Sequence, residues 1–92
     1  MHTQRQLLEA ARVRAGVSYP QLADRLGISR QALSQFKLGA PLSGPLALKI
    51  AELAGLDPAY VFACVEYHRA LRLERPETLP VWKRIADHFA KR

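Results

Sequence analysis

The chain is short of several things, and each shortage closes off a class of protein. Among its 92 residues there is one cysteine, Cys64, so no disulfide forms within the chain and no cysteine cluster holds structural zinc. Long apolar runs are missing as well, since nothing approaches the roughly 18–20 residues needed to cross a bilayer. Residues 1–16, MHTQRQLLEAARVRAG, mix polar and apolar side chains and lack the apolar centre of a secretory signal. No stretch alternates as a strand does, and there is neither an internal repeat nor a low-complexity segment. No nucleophile, base and orienting group stand together, and no glycine-rich phosphate loop is present. Cys64 and His68, one helical turn apart, make half a metal site, but no second pair follows, so they read as a packed thiol and an ordinary histidine. His2 and His88, near the ends, read as exposed. The expectation is a soluble cytoplasmic protein, not an enzyme, with no cofactor, metal, membrane or small-molecule ligand.

Acidic residues are scarce in one half only. Residues 1–50 carry seven Arg and Lys against Glu9 and Asp24, whereas residues 51–92 carry seven against six acids. A basic half beside a nearly neutral one suggests a polyanion-binding face with a separate task behind it. What the chain does have is apolar material, 49% of its residues, with 24% charged, enough for one small core. A domain of this size buries a limited fraction of its surface, so it stands to gain stability from a partner subunit.

Helix punctuation runs the length of the chain. Thr3 with Gln6, and Ser18 with Gln21, have the spacing of capping boxes, and Gly16 and Gly27 follow the two segments they open. Ser29 caps a third helix over about 30–37, and Ser43 a fourth that ends at Gly55, with Leu46, Leu48, Ile50, Leu53 and Ala54 on its buried side. Asp57 and Pro58 open a fifth that runs to about Leu73, Pro76 breaks it, and Thr78 and Pro80 start a sixth. The fold is all-α, with five to six helices.

The stretch ADRLGISRQALSQFKLG sets two short helices around a three-residue corner, Gly27 to Ser29. Ala23 is small enough for close crossing, Gly27 supplies the turn, and Leu33 and Phe36 press the next helix inward, leaving Arg30, Gln31, Ser34, Gln35 and Lys37 outside. An exposed helix held this way fits the major groove of B-DNA. YPQLADRLGISRQALSQFKLG resembles the helix-turn-helix of the Cro/C1-type (λ-repressor-like) family, with Ala23, Gly27, Ile28, Leu33 and Phe36 at the structural positions. ALKIAELAGLDPAYVF is similar to that family's fourth and fifth helices, so the likeness spans about residues 3–62. The resemblance implies double-stranded DNA as the partner, base reading by Arg30, Gln31, Ser34 and Gln35, and phosphate contacts from Ser18, Tyr19, Ser29 and Lys37. It departs at LGAPLSG, where family members often carry basic residues and this chain has none.

Residues 1–58 then read as the DNA-binding core and 59–92 as C-terminal helices of the same compact domain. The fifth helix carries more apolar side chain than one face needs, so Phe62, Val65, Trp82, Ile85 and Phe89 are assigned to a homodimer contact, with a folded-back local cap as the alternative. DPAYVFACVEYHRALRLERPETLPVWKRIA resembles the tails of small phage-related regulators. The expected function is a phage or prophage repressor that binds an inverted-repeat operator as a dimer, at the nucleoid of a bacterial or phage-infected cell. Two rivals remain: an antitoxin that also neutralises a protein through its C-terminal helices, and an anti-repressor adaptor that binds no DNA.

Overall fold

The computed structural model describes residues 1–90; the last two residues of the expected C-terminal half lie outside them. Six α-helices follow in order: α1 (Gln4–Ala15), α2 (Tyr19–Leu26), α3 (Arg30–Lys37), α4 (Gly44–Ala54), α5 (Pro58–Arg72) and α6 (Leu79–Phe89), with a single 3-10 turn at Pro76–Thr78 before the last. No strand occurs among the described residues, and no helix there is long and apolar enough to cross a membrane. The helix starts follow their caps. Thr3 and Ser18 form complete capping boxes with Gln6 and Gln21, while Ser29 and Ser43 accept from Ala32 and Leu46 N–H. Thr78 precedes α6 but makes no such bond; its hydroxyl donates instead to the Arg75 carbonyl.

One core joins both halves of the chain. Leu7, Leu8, Leu22, Ile50, Val61 and Cys64 are fully enclosed, and Ala86 of α6 is buried in the same cluster. On α4 the buried positions are Leu46, Ala47, Ile50 and Ala51, and Leu48 is 41% exposed, contrary to its expected place on the inner side. At 100° per residue Leu48 lies about 200° around the helix from Leu46, so a chain of apolar residues at i, i+2, i+4 cannot share one face.

α5 explains a second correction. It packs against α1 and α4 and also against α6. Burial on both sides takes in Tyr60, Val61, Ala63, Cys64 and Val65, so Val65, at 3% exposure, belongs to the chain's own core and not to an outer contact surface. Trp82, Ile85 and Phe89 are half-buried, and Ile85 and Phe89 pack on that core where α6 folds back along α5. Phe62 stays exposed beside Gly44. His2 is held as well, rather than free: its backbone N–H donates to the Tyr60 hydroxyl at 3.1 Å, and its carbonyl meets His68 Nε2 at 3.1 Å. Burial, helped by the neighbouring chain terminus, lowers the His2 pKa, and burial raises that of the Cys64 thiol, which keeps it protonated and inert.

Candidate nucleic-acid interface

The corner between α2 and α3 is built as its residues dictate. Gly27 takes φ 70° and ψ 32°, left-handed values that cost an L-residue roughly 1–2 kcal/mol and glycine almost nothing. Its N–H and that of Ile28 return to the Asp24 and Ala23 carbonyls at 3.1 and 3.0 Å, so the end of α2 is satisfied before the chain turns. Ala23 is wholly buried at the crossing, Leu33 is 3% exposed, and Phe36 and Ile28 pack half-buried on the core. These five residues are brought together to fix α3 from behind.

The other side of α3 is open. Arg30, Gln31, Ser34 and Gln35 are all exposed, and among the described residues their side chains make no hydrogen bond or ion pair. Arg30 can donate a bidentate pair to guanine O6 and N7, and a glutamine can pair with adenine N6 and N7. No acidic side chain stands in the first turn of α3 to compete for an anion.

The four expected phosphate residues fare differently. Ser18 and Ser29 are exposed caps whose hydroxyls accept an amide N–H and still have a proton to give. Tyr19 is instead tied to α1, and Lys37 to Tyr19. The Tyr19 hydroxyl donates to Glu9 Oε2, Glu9 also receives Arg12 Nη2 at 2.6 Å, and the Lys37 ammonium lies 3.9 Å from the Tyr19 ring centroid. The Arg12 hydrogen bond, and after it the Tyr19 one, holds the Glu9 carboxyl down from 4.5 to about 2. A depressed carboxylate contributes stability above its unfolded pKa and loses it as pH falls through the folded one. Thermal stability is therefore expected to fall as pH drops from about 4.5 toward about 2, and Glu9→Gln is expected to flatten that part of the profile. Melting curves over that interval check this. The cluster is solvent-facing, so the change is small.

Sequence reasoning missed Gln4. Its side chain is 5% exposed, and Nε2 donates to the Phe36 carbonyl at 3.0 Å and the Ala40 carbonyl at 2.8 Å. Phe36 is in the last turn of α3 and Ala40 in the loop just after it, so one amide from α1 fastens the far end of the exposed helix to the loop that follows. A signal existed: Gln4 falls at the first position of the apolar series Gln4, Leu7, Leu8, Ala11, where a polar residue needs a partner. Gln4→Ala is expected to cost about 1–3 kcal/mol, because the Ala40 carbonyl loses its partner while the Phe36 carbonyl keeps only the Gly39 N–H, measurable by urea denaturation.

A family model described as Helix-turn-helix matches residues 8–61, from within α1 into α5. The chain belongs to the Cro/C1-type helix-turn-helix family. Neither the curated proteins nor the solved structures gave a match. As a Cro/C1-type helix-turn-helix protein it is a DNA-binding transcription regulator with an all-α, λ-repressor-like fold. The matched span contains both the corner at Gly27 and the open face of α3.

Proposed function

We propose that this regulator is a repressor of phage or prophage type that occupies an inverted-repeat operator as a homodimer. One observation carries the reading: α3 is held from behind by Leu33 and Phe36 while Arg30, Gln31, Ser34 and Gln35 stand exposed and unbonded in front. Those four meet base edges, and the Ser18 and Ser29 hydroxyls and the Lys37 ammonium hold the flanking backbone. Tyr19 braces Lys37 and takes its place near the phosphates as a platform rather than as a donor. Residues 1–58 do the reading and residues 59–92 complete the core and pair the chains.

Pairing follows from two needs. A module with four readers gathers too few specific contacts to find one site among competing DNA, and two copies about 34–36 Å apart reach successive major grooves on one face of a duplex. The hairpin of α5 and α6 leaves Phe62, Leu71, Leu73 and Val81 exposed by 38–54%, apolar surface that a second chain can cover. A gel shift against DNA flanking the protein's own gene, with sedimentation of the complex, tests this. A retarded species holding two chains per duplex is expected; one chain per duplex, or equal retardation of unrelated DNA, contradicts it.

A further inference from the structure

The loop that closes α3, Leu38–Ser43, has no charged side chain of its own. Charge reaches it from other helices. Arg72, in the last turn of α5, donates from Nη1 to the Gly39 carbonyl, and Arg69 donates to the Leu42 carbonyl at 3.4 Å. Arg5, in the first turn of α1, is exposed and makes no hydrogen bond or ion pair among the described residues. Arg5, Lys37, His68 and Arg72 line one cleft together with Leu38 and Gly39, and among the described residues no carboxylate lines it. Arg69, by contrast, is 3.5 Å from Glu66 and partly neutralised.

Position and size narrow the occupant. Leu38 follows Gln31 by seven residues and Ser34 by four, so the rim of the cleft continues the open face of α3, and Leu38 is 76% exposed there. A volume of about 190 Å³ is below the roughly 300–1,000 Å³ of pockets that take organic ligands, but it admits a single phosphate group. The arginine fork matches phosphate oxygens in a way that a solvated ammonium does not.

We infer that this cleft is a second clamp for the DNA backbone, in which Arg5 and Arg72 supply from α1 and α5 the cations that the loop after α3 lacks. The inference rests on the DNA-reading role of α3, and it adds contacts that hold the duplex without reading its sequence.

The test measures duplex affinity against salt for the whole chain and for Arg5→Gln, Arg72→Gln and their combination. Each phosphate contact removed lowers the slope of log K against log salt by about 0.9, so the double variant loses about 1.8, on a selected site and on random duplex alike. Arg5→Gln breaks no bond in the fold, so its melting midpoint stays that of the parent. Arg84→Gln, on α6 and outside the cleft, is expected to leave the slope unchanged. Parental slopes in both cleft variants, with tight binding retained, overturn the clamp and leave the role of α3 standing. An equal loss of slope in Arg84→Gln overturns it in favour of a diffuse field. Saturable sub-millimolar binding of free pyrophosphate that Arg5→Gln abolishes would assign the cleft to a soluble phosphate ligand instead. Failure of the parent to bind any duplex removes both readings.

Discussion

Replacing Arg30 and Gln31 together with alanine is expected to remove most of the discrimination between a selected site and random duplex, leaving only what Ser34 and Gln35 read, while general affinity for DNA stays nearly intact. Each bidentate base contact is worth about 1–3 kcal/mol against the wrong base, so the pair accounts for roughly a thirtyfold to twenty-thousandfold preference. Both side chains are exposed and, among the described residues, make no hydrogen bond or ion pair, and the change therefore costs little stability. Backbone contacts from the serine caps and Lys37 persist, and they set non-specific binding. Titrating the variant against both duplexes at one salt concentration measures the effect. A preference left undiminished by the double substitution places sequence reading elsewhere on the molecule.

The second large effect concerns what holds α3 in place. Leu33→Ala is expected to destabilise the domain by about 2–5 kcal/mol, since Leu33 is 3% exposed and its loss leaves a cavity between α3 and the core. Small domains have about 5–15 kcal/mol in total, so a large fraction of the stability goes with one side chain. Urea denaturation reads it directly. Because α3 has eight residues, too few to be helical alone in water, the loss of its anchor also loosens the reading face. A cost under 1 kcal/mol would mean that α3 is held mainly by the amide of Gln4 and the corner at Gly27.

Features set by neighbouring residues were legible in the sequence. The serine caps, the turn at Gly27, the limits of α3 and the face carrying Arg30, Gln31, Ser34 and Gln35 all follow from spacings of three or four positions. Contacts across the chain were not. Gln4 meets Phe36 and Ala40, and Arg72 meets Gly39, across gaps of more than thirty residues that carry no local signature. Val65 went astray because α5 is covered on two sides, so its apolar excess marked deep burial rather than a second surface. Tyr19 and Lys37 carry no local sign of their contacts either: the bond from Tyr19 to Glu9 of α1, and with it the seat of Lys37 on the Tyr19 ring, depends on how α1 lies against the corner.

Whether the front of α3 reads bases is decided by selecting bound duplexes from a random pool. Enrichment of one sequence made of two inverted half-sites is expected, their centres about 34–36 Å apart along the duplex, one helical turn. A pool that emerges unenriched, although the folded chain retains duplex at low salt, would contradict it.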